Sequence, residues 1–292
     1  MMKTIIRIVP TLTLVLISFG HLIMEAAAAE KETLGIVFIA YENPDQLIEN
    51  VEPVVAYLEA QLALEVRSFV ATDYAAVVEA LRNESADVGF MGPLQYVMAR
   101  QQAGAYPLLG EEYKGKSTYI SKIFVRKDSG IRNISELRGR TIAFVDPISS
   151  SGYMYPLDIF KSAGLIENAP EDYFRKIYFA GGDEQSMRAV YNGFVDAAGI
   201  GQFAFNLLRP EERDEVIAIA ESRTIPSHCL VARKGLNPKT AGKLRDALLA
   251  LNEPGENRRL LKYLYSVDGY VKVSHEDYKE VEKIGRAYGF IR

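Results

Sequence analysis

Three consecutive hydroxyls, Ser149, Ser150 and Ser151, stand before Gly152 where an apolar run (141–145) gives way to a helix-forming run (155–163). The first turn of a helix has free backbone N–H groups and the positive end of its dipole, so it attracts anions. Serines at that place add O–H donors without bulk. The group therefore reads either as an ordinary helix cap followed by a turn, since Ser is a favoured cap, or as the floor of a small oxyanion site. Further hydroxyls and acids collect at similar turns. Tyr74 follows Thr72-Asp73 at a helix start, and Gly92-Pro93 opens another helix. Tyr119 lies in an extended run, Asp183 follows Gly181-Gly182, and Ser227-His228 follows Ile225-Pro226. In open α/β sheets ligands bind beyond the carboxyl ends of strands, where such turns gather.

Other chemistries find little support. Residues 110–117, Gly-Glu-Glu-Tyr-Lys-Gly-Lys-Ser, fit the phosphate-loop pattern letter for letter. The run after them, 118–125, reads as a strand where the motif needs a helix, and two glutamates inside the loop repel phosphate. No Gly-x-Ser-x-Gly elbow occurs, and Cys229 sits in an apolar strand as a small buried residue. One cysteine and the two scattered histidines beyond the first 29 residues, His228 and His275, do not make a transition-metal site, and no cofactor is expected.

The elements that must position these turns follow from periodicity. Strands are predicted over 34–40, 65–70 and 86–90, with helices over 44–64 (divided or kinked at Pro53), 73–83 and 92–103. A second alternating set follows the extended run 117–126. It comprises strands 141–145, 177–180 and 195–200, and helices 155–163 and 184–192, with a helical turn or two over 202–208. Strands 216–220 and 229–233 come next, and helical segments 238–251, 256–264 and 275–288 finish the chain. Alternation of this kind makes a mainly parallel, covered sheet. Two sets joined near Tyr119 and Pro226 imply two lobes with two crossovers.

A chain of 292 residues, 48% apolar, is long enough for two such lobes. Lys3 and Arg7 precede an apolar run over 8–24, and four alanines at 26–29 offer cleavage sites. This is the pattern of a secretory signal peptide, with an uncleaved anchor as the alternative. Cleavage near Ala29 removes Lys3, Arg7 and Glu25 and takes the formal net charge from −4 to −5. A mildly acidic protein is not built for nucleic acid or anionic membranes. With a single cysteine no internal disulfide forms, which suits a bacterial periplasm or an archaeal cell surface.

At Phe144-Val145-Asp146-Pro147 with Ser149-Ser150-Ser151-Gly152-Tyr153, and at Tyr119-Ile120-Ser121 followed by 125–131, the chain resembles the phosphonate-binding protein family. These are the periplasmic phosphate, phosphite and phosphonate-binding proteins of ABC importers. Residues 189–193, 195–197 and Ile225-Pro226 support the likeness. The resemblance implies an α/β, two-lobed type II periplasmic-binding-protein fold, each lobe a mixed sheet flanked by helices, with two hinge crossovers. Its lobes are expected over 30–118 plus 226–292, and over 119–225. It implies that ligand oxygens are held by Ser149, Ser150 and Ser151 and by the tyrosines Tyr74 and Tyr119. Three positions depart from the family pattern. Asp183 replaces a histidine common in relatives. Phe203 stands where aminophosphonate binders carry an acid, and Ser227-His228 stands where they carry another. Loss of the partners for a ligand ammonium argues against an aminoalkyl phosphonate.

The changes suggest that Asp183 and His228 exchange roles across the cleft. Asp183 would accept an O–H from a protonated ligand and reject fully ionised anions, and a protonated His228 would supply positive charge. The plainer reading has Asp183 capping its helix and His228 lining a strand. The expected function is capture of a small phosphorus oxyanion (phosphate, phosphite or a simple alkylphosphonate) by a monomeric periplasmic protein for a membrane ABC permease, without catalysis. The alternative is an oxyanion-loaded sensor subunit, for example for an arsenic species, that docks on a membrane histidine kinase. A phosphoester hydrolase lacks a nucleophile or metals.

Overall fold

A computed structural model describes residues 33–39 and 44–292. The predicted signal peptide, 1–29, lies outside the described residues. Chain order begins with β1 (Thr33–Ile39), α1 (Pro44–Leu62), β2 (Glu65–Ala71), α2 (Tyr74–Arg82), β3 (Val88–Met91), α3 (Pro93–Ala103) and β4 (Tyr106–Glu112). Next come β5 (Thr118–Tyr119), β6 (Ser121–Arg126), β7 (Thr141–Phe144), α4 (Tyr155–Ser162), β8 (Lys176–Phe179), α5 (Asp183–Tyr191), β9 (Ala197–Gly201) and β10 (Val216–Glu221). The chain closes with β11 (Ile225–Pro226), β12 (Cys229–Ala232), α6 (Pro238–Ala250), β13 (Gly269–Val271) and α7 (Lys279–Ala287).

The strands form two mixed sheets, giving the two-lobed architecture. One has six strands in the order β13-β4-β12-β3-β1-β2, and the other has five in the order β10-β6-β9-β7-β8. In each, the strands that feed helices pair in parallel (β1 with β2 and β3; β7 with β8 and β9) and the returning strands pair antiparallel. Helical crossovers must cover a parallel sheet on both faces, and β3 and β7 are accordingly buried at every residue. A two-stranded ladder, β5 with β11, lies between the sheets and pairs Tyr119 with Ile225 and Thr118 with Pro226. One apolar cluster runs from Tyr74, Leu94 and Tyr96 of the first set to Tyr119, Met154 and Tyr155 of the second.

Several elements differ from the sequence expectation. The extended run 117–126 is broken at Ile120, because β5 pairs with β11 while β6 joins the five-stranded sheet. Strands β4 and β13 were not predicted. The segments 202–207, 256–263 and 275–278 are 3-10 rather than α-helical. Pro53 sits inside one helix, α1, rather than dividing it. Gly110 of the phosphate-loop match lies within β4, opposite Cys229 and Val271, so no nucleotide loop exists there.

Candidate functional site

The serine turn is built as a π-turn between β7 and α4. Residues Ser150–Met154 carry the wide i→i+5 pattern, with Met154 N–H donating to the Ser149 carbonyl (3.1 Å) and Tyr155 N–H to the Ser150 carbonyl. Such turns recur at functional sites because they swing side chains off the helical path. Packing imposes the glycine: a Cβ on Gly152 would lie 2.3 Å from Val145 Cβ. All three serines are buried. Ser149 Oγ accepts from Gly152 N–H (3.0 Å), and Ser150 Oγ accepts from Leu94 N–H (2.8 Å) in the first turn of α3. A hydroxyl that already accepts a main-chain N–H keeps its own proton to donate. The Ser151 carbonyl accepts from Ser121 Oγ at 2.6 Å, which anchors the turn to β6. The turn's first N–H groups, those of Ser150 and Ser151, precede any helical acceptor.

The other sequence-predicted residues converge on this turn. Tyr74 opens α2 behind Asp73, whose carboxylate caps the helix by accepting from Ala76 N–H at 2.8 Å. Burial holds the Tyr74 phenol well above its ordinary value. The charges of Asp183 and Asp146 and the Tyr119 phenol add to this, and the Ser149 hydroxyl opposes it. Tyr119, from the two-stranded ladder, is buried, and among the described residues no group meets its hydroxyl at hydrogen-bond geometry. Burial raises its pKa as well, with the Ser151 hydroxyl acting the other way. A Cβ on Gly201 would touch both Ser151 Oγ (3.1 Å) and the Tyr119 ring (3.7 Å). An unpartnered buried hydroxyl costs free energy unless something completes it.

Asp183 is the first residue of α5, and the cap is Gly182, so the plain capping reading of Asp183 does not hold. It is half-buried, yet desolvation raises its carboxyl from 3.8 to about 6, against the backbone N–H groups of Gly201 and of its own residue. Phe203 follows β9 and lies between Tyr113 (ring centroids 4.8 Å) and Tyr119 (6.1 Å, stacked). His228 continues this aromatic wall, 5.1 Å from Tyr119. Burial pushes the His228 imidazole down from 6.5 to about 4, so the free protein carries it neutral at neutral pH. The positive charge expected of His228 is therefore absent before a ligand arrives.

Three contributors were not predicted as site residues. Leu94 offers only a main-chain N–H, which no side-chain pattern reveals. Gln95 is buried and ties the cleft rim together: its Oε1 accepts from Gly92 N–H (2.7 Å) and its Nε2 donates to the Tyr74 carbonyl (3.1 Å). Its position in the first turn after Gly92-Pro93 was the available signal. Glu111, 1% exposed, takes the Tyr113 hydroxyl at 2.7 Å and sits 3.6 Å from His228 Nδ1. The strand of Glu111, β4, with Pro107 and Gly110 in it, does not read as one. Among the described residues no cluster of three metal-ligating side chains occurs, and no helix is long and apolar enough to cross a membrane.

The chain is similar to known proteins in sequence and in structure. The phosphate-import protein PhnD of Mycolicibacterium smegmatis is 29% identical over 229 residues, covering 73% of this chain and 70% of the relative. The phosphonates-binding periplasmic protein of Escherichia coli K12 is 28% identical over 257 residues, covering 85% of this chain and 75% of the relative. In structure the chain is similar to PhnD1 from Prochlorococcus marinus in complex with methylphosphonate. The TM-score is 0.79 at 21% identity, over 89% of this chain and 99% of that one. Residues 36–278 match the family described as ABC transporter, phosphonate, periplasmic substrate-binding protein, and the chain belongs to that family.

Proposed function

We propose that this protein captures a small phosphorus oxyanion, phosphite or a simple alkylphosphonate before phosphate, and delivers it to an ABC permease without chemical turnover. The observation that carries the reading is the serine turn: Ser149 and Ser150 both spend their oxygens on main-chain N–H groups, which turns their protons outward as donors. Tyr74 and Tyr119 add phenol donors beside Ser149 and Ser151. Asp183, raised to about 6, accepts the O–H of a protonated ligand and repels a fully ionised one. The aromatic wall of Phe203, Tyr113 and Tyr119 suits a hydrogen or methyl substituent on phosphorus and gives an ammonium group no carboxylate at Phe203. In this reading the lobes are 30–118 plus 226–292 and 119–225, the hinge is the β5–β11 ladder, and the chain is exported by a signal cleaved near Ala29.

A thermal-shift panel with phosphate, phosphite, methylphosphonate, aminoethylphosphonate, arsenate and sulfate tests it. A ligand at a hundred times its Kd stabilises the folded state by about 2.7 kcal/mol, so phosphite or methylphosphonate should raise the melting temperature by several degrees. Aminoethylphosphonate and sulfate should not. Stabilisation by aminoethylphosphonate alone refutes the assignment.

A further inference from the structure

Behind the aromatic wall a buried acid faces the histidine of the site. Glu111 lies on β4 with its carboxylate 1% exposed. One oxygen, Oε2, accepts the Tyr113 hydroxyl at 2.7 Å and stands 3.6 Å from His228 Nδ1, just beyond hydrogen-bond range. The other, Oε1, is buried and has no hydrogen-bond partner among the described residues. The opposite edge of the same imidazole faces the cleft. A Cβ on Gly92 would lie 3.5 Å from His228 Cδ2 and 3.7 Å from Ser150 Oγ, so Gly92 stands between the Cδ2 edge of the ring, next to Nε2, and the serine turn. The main chain fixes this arrangement, because Glu111 N–H donates to the His228 carbonyl at 2.9 Å. His228 thus connects a hidden carboxyl group to the place where an oxyanion would rest.

We propose that Glu111 is a positioning and proton-supplying residue, which acts through His228 Nδ1 to make His228 the cationic partner of the bound oxyanion. The inference rests on the oxyanion-binding reading of the site. Before binding, the pair holds one proton beyond that on Nε2: it sits on the Glu111 carboxyl and faces Nδ1. When an anion takes the Nε2–H hydrogen bond, the Glu111 proton moves to Nδ1. The imidazolium then donates to the ligand from Nε2 and to the Glu111 carboxylate from Nδ1. Nothing is consumed, and the charge appears only where the anion repays it.

Of the two, Glu111 is the group brought near neutrality, while His228 lies well below it. Glu111 is raised from 4.5 to about 7 by burial, opposed by the Tyr113 hydroxyl. It is faced by Tyr113 and by Cys229 of β12, by Tyr265 and by Tyr270 of β13, by Tyr278 before α7, and by Tyr119 of the ladder. Burial raises all six of these, so they stay neutral. Below about pH 7 the proton needed by His228 is already in the pair. Above it, Glu111 has released that proton and binding must take one up, so wild-type affinity falls about tenfold per pH unit.

The test measures methylphosphonate Kd from pH 5.5 to 9 for wild type and Glu111→Gln, and reads the His228 ring nitrogens by 15N NMR in the free and saturated wild type. The ligand's own ionisation is common to both proteins. The ratio of Kd values, variant over wild type, should be largest below pH 7 and fall about tenfold per unit above it. Nδ1 should move from the unprotonated to the protonated range on saturation. A pH-independent ratio, or a His228 that stays neutral when saturated, overturns the proposal while leaving oxyanion binding intact. If Glu111→Gln does not fold, the wild-type spectra decide alone. Failure of wild type to bind methylphosphonate, phosphite or phosphate overturns the oxyanion reading and this inference with it.

Discussion

A carboxyl group that is partly withdrawn from water loses free energy by ionising, and Asp183 shows this in its rise from 3.8 to about 6. A folded-state pKa above the unfolded value means that the group's contribution to stability is full below pH 3.8 and is lost as the pH rises through about 6. Asp183→Asn removes that loss. The unliganded variant should match wild type near pH 3.5 and exceed it by about 1–2 kcal/mol at pH 7.5, after discounting for partial exposure. Chemical unfolding at the two pH values checks this, and a pH-independent difference would refute the desolvation account. The same variant should bind sulfate, which the wild-type carboxylate repels, with Kd measured by calorimetry. His228 is shifted the other way. Its folded value of about 4 lies below 6.5, so its contribution is present above pH 6.5 and is lost as the pH falls through about 4.

At the scale of elements, the serine turn has no slack. Val145 N–H donates to the Gly152 carbonyl at 2.9 Å, which folds the turn back onto the end of β7, and the Val145 side chain fills the place of any Cβ on Gly152. Gly152→Ala should destabilise by about 1–3 kcal/mol through overpacking and weaken ligand affinity as well, since relief of the clash displaces the serines. Urea unfolding and calorimetry on the same samples check both effects; loss of stability with unchanged affinity would mean that the turn does not hold the ligand. The existence of this turn was legible in the sequence, because Ser149, Ser150, Ser151 and Gly152 follow a strand-like run. Its π geometry was not, since that depends on contact with Val145. Strand β4 escaped for a related reason. Tyr106-Pro107-Leu108-Leu109-Gly110-Glu111-Glu112 mixes strand-weakening residues with two acids, and only pairing with β12 and β13 makes it a strand. Glu111 was visible merely as a charge that spoils a phosphate loop. Its burial against Tyr113 and His228 is a tertiary fact.

Across the whole molecule the C-terminal segment ties the two sheets' layers together. Asp158 of α4 is buried. It accepts from Arg223 Nε at 2.9 Å and from the Tyr288 hydroxyl, while the other arm of Arg223 reaches Glu280 of α7 at 3.0 Å. Phe290 packs edge-on against Tyr153 with centroids 5.5 Å apart. Arg223→Ala leaves a buried carboxylate oxygen short of its donor and should cost about 1–3 kcal/mol. Because the bond joins α4 to the segment that carries α7, methylphosphonate should also dissociate faster from this variant in stopped-flow experiments; an unchanged off-rate would mean that the strap plays no part in holding the lobes shut. The aromatic wall has an optical consequence. The chain contains 17 tyrosines and no tryptophan, so its native emission is that of tyrosine alone. Phe203 lies 4.8 Å from Tyr113 and stacks over Tyr119. Phe203→Trp would place a single indole at the seam, against Tyr113 and Tyr119, and indole can be excited at wavelengths that tyrosine does not absorb. Its emission should shift to the blue when ligand expels water from the seam, which would turn one substitution into a reagentless reporter of occupancy.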